Sequence, residues 1–281
     1  MVNSGLVATR FRIAACWITL LAASMVTGLP FYWAVITSLK GPEEAAAWPP
    51  TWWPHHVEWG NIARTWNAAP FGRFFVNSLV TSLCATALQI GCALTMAYAF
   101  AFLRFPGKRI LFWMVLATMM VPEEAKLVPN FVTLSKLDWI DTWWALIIPS
   151  AAHAFPIFVL HEHFKTLPRD VLDSARIEGA GHLRVLTAIV IPLSAPIVAA
   201  VALVAFAGRW NDYLWPLVAT NSESMRTLPV GLAYLQAGQE GGQQWNFLMM
   251  GAIFVIIPLF VLFFSMQRFF QQGLIRGAVK A

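Results

Sequence analysis

The stretch DSARIEGAGHLRVLTAIVIPL, residues 173–193, places charged side chains, a histidine and two glycines between two long apolar segments. Residues 167–170, which precede it, are typical of a helix start, because an early proline and an acidic side chain suit the unpaired N–H groups of the first turn. We predict a helix over 171–176, and Gly179 and Gly181 then allow a bend before a second helix. The pattern therefore predicts two short helices joined by a turn.

The composition around this stretch indicates an integral membrane protein. Hydrophobic residues make up 58% of the 281 positions and charged residues 12%, against about 25% charged residues in a soluble domain. Apolar runs of the roughly 20 residues that a transmembrane helix needs occur at 13–39, 74–103, 142–160, 185–208 and 245–267. A sixth begins at Ile110 and meets two glutamates early. We predict an all-α protein with six transmembrane helices.

The basic residues predict the orientation of these spans. With six spans and both termini in the cytoplasm, 12 of the 19 lysines and arginines lie in inner segments, as short cytoplasmic loops prefer. Residues 173–193 then project into the cytoplasm, because polar side chains are costly in lipid. The net charge of +5 follows from this topology, so we expect no nucleic-acid partner.

Motifs of catalysis are missing from the sequence. It contains no phosphate-binding G-x-x-x-x-G-K-[ST], no H-E-x-x-H and no G-x-S-x-G pattern. The three cysteines fall in apolar spans, where thiols behave as small hydrophobic groups. We therefore expect no enzyme activity, no catalytic residue, no metal site and no cofactor in this chain.

The 173–193 stretch resembles the cytoplasmic "EAA" loop of the permease subunits of bacterial ABC importers. That pattern reads E-A-A, two residues, D-G-A, eight residues, I-x-L-P. The matching positions are Asp173, Ser174 and Ala175, then Glu178, Gly179 and Ala180, then Ile189, Val190, Ile191 and Pro192. The spacing agrees throughout, and the four substitutions keep charge or size. The resemblance implies a loop that fits a cleft on an ATP-hydrolysing subunit and carries its closing motion into the membrane.

Two further segments narrow the resemblance. RWNDYLWPLVATNSESMRTLPVGLA (209–233) and QRFFQQGLIRGAVKA (267–281) are similar to the maltose-type carbohydrate permeases, and permeases for glycerol 3-phosphate and its diesters share much of this pattern. The fold implied is a methionine-permease-like helical bundle. We expect an anchor span with a periplasmic loop at 1–71, a core at 72–270 that contains the coupling loop 167–191, and a cytoplasmic tail at 271–281.

The resemblance also implies partners and a location. The partners are a dimer of ATP-binding subunits that hold ATP and Mg, a second homologous permease, a periplasmic or lipid-anchored solute-binding protein, and membrane lipid. The location is the inner membrane of a bacterial cell, with both termini cytoplasmic. The substrate would be a carbohydrate or a related polyol, or alternatively glycerol 3-phosphate or a glycerophosphodiester, and the sequence does not select one.

A candidate substrate pathway comes from polar residues at the ends of spans. In VPEEAKLVP (121–129), Pro122 can begin a new helical turn, which places Glu123 and Glu124 in the outer half of the membrane or at its edge. Ionisable residues at that depth usually face a water-filled cavity or a partner. The alternative is a local ion pair with Lys126 that caps a broken helix.

A second set of pathway candidates follows span five. Trp210, Asn211 and Asp212 offer aromatic, amide and carboxylate groups of the kind that bind sugars, or else pack and cap the helix end. The polar segment 234–246 is either a contact for the binding protein or a plain connection. A different class, a proton-coupled secondary transporter that uses Glu123, Glu124 and His153, would need no ATPase.

Overall fold

The structure, a computed structural model, describes residues 3–237 and 244–278, and the regular elements among these residues are helices, with no strand. The first eight helices are α1 Asn3–Ser38, α2 Pro42–Ala46, α3 Gly60–Ala68, α4 Phe71–Phe102, α5 Lys108–Ala117, α6 Leu127–Lys136, α7 Trp143–Ile147 and α8 Ala154–Lys165. The others are α9 Arg169–Ile177, α10 His182–Val185, α11 Ile191–Leu193, α12 Ala195–Trp210, α13 Leu214–Ala219, α14 Leu228–Ala237 and α15 Trp245–Ala278. The prediction of an all-α protein is confirmed.

Between three and five segments of the described chain are long and apolar enough to cross a membrane. Three are continuous: Arg12–Ser38, Phe71–Phe102 and Trp245–Ser265. Two are bent pairs, Trp143–Ser150 with Ala154–Lys165 at 40° and His182–Leu193 with Ala195–Trp210 at 86°. These five match the five clear apolar runs of the sequence. The sixth predicted span begins with α5, which ends at Ala117, so the count of six stays a prediction.

Prolines explain the breaks in the bent pairs. Pro196 lies in the first turn of α12 and Pro156 in the first turn of α8. In a continuous helix each proline ring would clash with the carbonyl group four residues earlier, so the helix ends and restarts. The sequence predicted an apolar span over 185–208 that Pro192 and Pro196 kink. In the structure Ser194, with φ −101° and ψ 8°, separates two helices there.

The chain forms two compact units, Met1–Ala69 with Tyr234–Phe254 and Pro70–Ala233 with Val255–Ala281. In the second unit α4 packs mainly against α8 and α12. Their buried side chains, among them Ala97, Leu160 and Val201, form one core together with residues of α9 and α10. In the first unit Asn61 holds the end of α1, since its amide donates to the carbonyl groups of Ser38 and Lys40 at 2.9 Å each.

The N-terminal half of α4 holds the segment before α14. The buried Asn77 amide donates to the carbonyl oxygens of Ser224 (2.8 Å) and Arg226 (3.0 Å), and the Ser78 hydroxyl accepts from the Leu228 N–H (2.7 Å). These bonds satisfy backbone groups that no helix partner reaches. Segment 224–228 is thereby attached to one end of α4.

The domain boundaries that the sequence predicted at 71/72 and 270/271 stay predictions. Parts of the predicted external segment 234–246 and of the predicted cytoplasmic tail, residues 238–243 and 279–281, lie outside the described residues.

Candidate functional site

Four ionisable side chains and one hydroxyl group meet in the second unit, and we call them the charged cluster: Glu123, Ser150, His153, Arg209 and Asp212. His153 Nε2 lies 2.8 Å from Glu123 Oε1. Arg209 Nη2 lies 3.8 Å from the same oxygen. Arg209 Nη1 donates to Ser150 Oγ at 3.0 Å and contacts Asp212 Oδ2 at 3.4 Å. The cluster therefore joins residues that are far apart in the chain.

Interrupted helices place these side chains. Val121 is extended, with φ −86° and ψ 115°, because the residue before a proline avoids the helical region, and Glu123 follows that break. His153 is extended, with φ −130° and ψ 127°, in the gap before α8. Arg209 belongs to the last turn of α12. At each point the chain leaves its helix, which is where transporter sites expose polar groups at membrane depth.

The members of the charged cluster differ in accessibility. The side chains of Arg209 and Asp212 are 19% and 22% exposed, and the Trp215 N–H also contacts Asp212 Oδ1 at 3.4 Å. The Glu123 side chain is 60% exposed. A carboxylate only accepts hydrogen bonds, so Nε2 of His153 carries the hydrogen toward Glu123. The other ring nitrogen, Nδ1, is buried and has no hydrogen-bond partner among the described residues.

The structure brings together only part of the predicted pathway set. Glu123 and Asp212 both contact Arg209. Glu124 is exposed and makes no hydrogen bond or ion pair with a described residue outside its own backbone turn. Trp210 is 1% exposed, and its indole N–H donates to the Val255 carbonyl at 2.9 Å.

The aromatic faces of Trp210 pack against protein rather than open space. Its ring lies 5.7 Å from those of both Phe75 and Phe206. The Asn211 amide donates to the Ala207 carbonyl at 2.9 Å and so caps α12. In this structure both residues therefore have the packing and capping contacts that were the alternative to sugar binding. Their place in a pathway stays a prediction.

Sequence reasoning missed Arg209 and named His153 only for the proton-coupled alternative. The available signal was an arginine at the end of an apolar run, which is rare without a partner. No sequence pattern identifies the partners of these two residues. Glu123 lies 30 positions before His153, and Ser150 lies 59 positions before Arg209.

The predicted coupling loop is a short helix anchored on its apolar side. Leu172 and Ala175 of α9 are buried in the core cluster of the second unit. Asp173, Ser174 and Glu178 are exposed. At the end of α9, Ile177 is 87% exposed. The anchored helix therefore leaves this apolar side chain accessible from solvent.

A left-handed glycine ends α9. Gly179 has φ +79°, a conformation that costs an L-residue roughly 1–2 kcal/mol. The Ala180 N–H reaches back to the Ala175 carbonyl at 2.9 Å, and the Glu178 N–H bonds the Ser174 carbonyl at 3.0 Å, which closes the helix end. The predicted bend between two short helices is confirmed, and glycine adopts the left-handed conformation of this bend without strain.

The second part of the motif belongs to the helix that follows. Ile189 is half-buried in a π-helical turn, Leu186–Val190, and Pro192 lies on the exposed side of α11. Both precede the 86° break at Ser194. The helix that follows the loop is tied to α4, since the Tyr98 hydroxyl group lies 3.1 Å from His182 Nδ1. Tyr98 itself is buried in the core.

Comparisons with known proteins agree with this architecture. The sequence model of the family described as "Binding-protein-dependent transport system inner membrane component" matches residues 89–276. The sn-glycerol-3-phosphate transport system permease protein UgpE of Yersinia pestis bv. Antiqua (strain Antiqua) is 33% identical over 266 residues, which is 92% of this chain and 95% of that protein. UgpE of Escherichia coli O6:K15:H31 (strain 536 / UPEC) is 33% identical over 273 residues, 92% of this chain and 96% of that protein.

Solved structures share the fold. A bacterial ABC transporter involved in the import of the acidic polysaccharide alginate aligns with a TM-score of 0.81 and 21% identity, over 94% of this chain and 98% of that chain. A bacterial alginate ABC transporter in complex with an alginate pentasaccharide-bound periplasmic protein aligns with a TM-score of 0.61 and 14% identity, over 93% and 92% of the two chains. At these identities the likeness is one of fold.

Proposed function

Since this chain belongs to the family of binding-protein-dependent transport system inner membrane components, we propose that it forms half of the translocation pathway of an ABC importer for a carbohydrate or a related polyol. The resemblance that residues 173–192 predicted is confirmed by the family match. The chain is a multi-pass inner-membrane transport subunit and not an enzyme.

The anchored coupling loop is the observation that carries this proposal. Leu172 and Ala175 attach α9 to the core, while Ile177 extends into solvent. A separate ATP-binding subunit that receives α9 in a cleft would pull on the core whenever its own dimer closes. In this proposal a dimer of those subunits binds ATP and Mg, and a second permease completes the channel. Both termini of this chain are then cytoplasmic, on the same side as the coupling loop.

The substrate class rests on the relatives and on the charged cluster. The UgpE proteins are named for sn-glycerol 3-phosphate, one structural neighbour is involved in the import of the acidic polysaccharide alginate, and another is in complex with a periplasmic protein that holds an alginate pentasaccharide. All of these molecules carry hydroxyl groups. We propose a carbohydrate or polyol as substrate, with glycerol 3-phosphate or a glycerophosphodiester as the alternative, delivered by a periplasmic or lipid-anchored binding protein.

Replacing Ile177 with aspartate tests the coupling loop. The change removes an apolar contact worth about 1.5–3 kcal/mol when buried and adds a charge, so we expect at least tenfold weaker binding of the ATP-binding subunit. The permease itself should remain folded, because Ile177 is 87% exposed. Co-purification and ATP-driven uptake in vesicles, with the partner subunits and binding protein, measure both effects.

Ile177→Leu is the matched control and should bind the ATP-binding subunit as the unmodified chain does. Full co-purification of Ile177→Asp would contradict the docking surface. Uptake that continues without ATP and disappears when the proton gradient is collapsed would contradict the importer itself, and would favour the carrier that uses Glu123, Glu124 and His153.

Tyr98→Phe tests how the coupling loop is joined to the bundle. It removes the hydroxyl group that contacts His182 and keeps the buried ring, so the net cost is about 0.5–1.5 kcal/mol. We expect ATP-driven uptake to fall about two- to fivefold while ATP hydrolysis continues. Tyr32→Phe is the control, because it removes a hydroxyl bond to the Trp52 carbonyl in the other unit. Equal ratios of uptake to hydrolysis in both variants would exclude a coupling role for Tyr98.

A further inference from the structure

The charged cluster is open on one side and is held together by few bonds. Glu123 comes from a segment of two short 3-10 turns, Thr118–Met120 and Glu124–Lys126, and its side chain is 60% exposed. Arg209, in contrast, is fixed by Ser150 and Asp212. The cluster thus has a fixed part on α12 and a part that solvent reaches through Glu123.

Arg209 and Glu123 of the charged cluster can still form hydrogen bonds with a ligand. The 3.8 Å between Arg209 Nη2 and Glu123 Oε1 exceeds the length of a hydrogen bond. A hydroxyl oxygen approaching from the side can accept from the guanidinium group and donate to the carboxylate, since a hydroxyl group does both. The buried Nδ1 of His153 has no partner among the described residues either.

The charges of the cluster argue against an anionic ligand. Arg209 contributes one positive charge, Glu123 and Asp212 contribute two negative charges, and His153 adds at most one positive charge. Lys126 and Glu124, in the same segment as Glu123, have opposite charges, so together they do not change the net charge near the cluster. A phosphate or carboxylate group would meet two carboxylates of the same sign, which is unfavourable where charges are partly desolvated. A neutral molecule with several hydroxyl groups meets acceptors and donors in alternation.

We propose that Glu123, His153 and Arg209, positioned by Asp212 and Ser150, form a binding subsite for the hydroxyl groups of an uncharged sugar or polyol. This inference rests on the proposed function and names the substrate class within it. Arg209 donates to the substrate oxygens and the Glu123 carboxylate accepts from the substrate hydroxyl groups, while His153 Nε2 holds Glu123 in place. The positively charged side chain is held in place by the same two residues, Asp212 and Ser150, whether or not a ligand is bound.

Two charge-removing variants separate an uncharged substrate from a charged one. The probes are radiolabelled maltose, sorbitol, glycerol, sn-glycerol 3-phosphate and galacturonate, taken up by vesicles that contain the whole importer and its binding protein. We expect ATP-dependent uptake of at least one uncharged probe. Glu123→Gln and Arg209→Gln should each raise its half-saturating concentration about tenfold or more, because each removes a charge-assisted hydrogen bond.

An anionic substrate would reverse the expected effect of one of these two variants. It would bind better in Glu123→Gln and worse in Arg209→Gln, and ATP-dependent uptake of only the two charged probes would likewise overturn the inference. Glu43→Gln, an exposed residue of α2, is the control for loss of a negative charge, and size-exclusion chromatography compares the amounts of assembled importer. Unchanged uptake in both cluster variants would show that these residues do not form the subsite. Absence of ATP-dependent uptake of every probe would instead contradict the proposed function.

Discussion

Replacement of Gly231 by leucine is expected to abolish accumulation of the folded protein in the membrane. A Cβ atom at this position would clash with Cδ2 and Cε2 of the Phe74 ring. Phe74 is 1% exposed and packs edge-to-face on Phe71 with ring centroids 6.0 Å apart, so its ring has no free space to enter. Overpacking of a core costs about 1–3 kcal/mol, and this clash forces α14 away from α4.

The measurement is the monodisperse fraction in detergent and its thermal midpoint. Gly91→Ala is the matched control, because it lies in the interior of α4 and its new Cβ would meet no atom within 4 Å; alanine there favours the helix by up to about 1 kcal/mol. Phe74→Leu combined with Gly231→Ala should recover part of the protein, since the smaller side chain makes room. A normal yield and midpoint for Gly231→Leu would show that the close approach of these helices is wrong.

Replacement of Gly179 by proline is expected to reduce ATP-driven uptake to background while the permease remains in the membrane. Gly179 has φ +79°, whereas the proline ring holds φ near about −65°, so the bend after α9 cannot form. The core is not affected directly, because nothing lies within 4 Å of a Cβ at this position. Uptake, ATP hydrolysis and the amount of permease are measured in the same vesicles.

A graded series separates backbone conformation from side-chain size. Gly179→Asn should retain most of the uptake, since asparagine tolerates the left-handed region better than other residues with a side chain, and Gly179→Ala should be intermediate. Gly181→Ala should be almost neutral, because Gly181 has φ −67° and its Cβ would also meet no atom within 4 Å. Normal uptake in the proline variant would contradict both the bend and its role in coupling.

Much of the fold was predictable from local patterns. The five apolar runs correspond to the three continuous and two bent candidate spans, because a membrane span is recognised by length and composition alone. The bend between α9 and α10 was predictable for a similar reason. Glycine is the residue that adopts positive φ without strain, and Gly179 does so.

The candidate site was only half predictable. Glu123 and Asp212 stood out as acidic residues at the ends of apolar runs. Arg209, which contacts both of them, did not stand out, and His153 was named only for the proton-coupled alternative. The position of Trp210 at the end of an apolar run made it a candidate for the substrate pathway. In the structure Trp210 is 1% exposed and packs against Phe75 and Phe206. Burial of one face of a helix depends on its neighbours, which the local sequence does not name.

By itself, the sequence determined the class of protein, the approximate spans, the bend between two short helices at Gly179 and the family to which the chain belongs. These depend on composition, on runs of apolar residues and on backbone preferences, all of which act over a few neighbouring positions. Only the tertiary structure decided that the span at 185–208 breaks by 86° at Ser194, and that Glu123, His153 and Arg209 meet at the ends of interrupted helices. Those features depend on how α4, α8 and α12 pack. Packing brings together side chains that are far apart in the chain, and no local sequence pattern identifies such pairs.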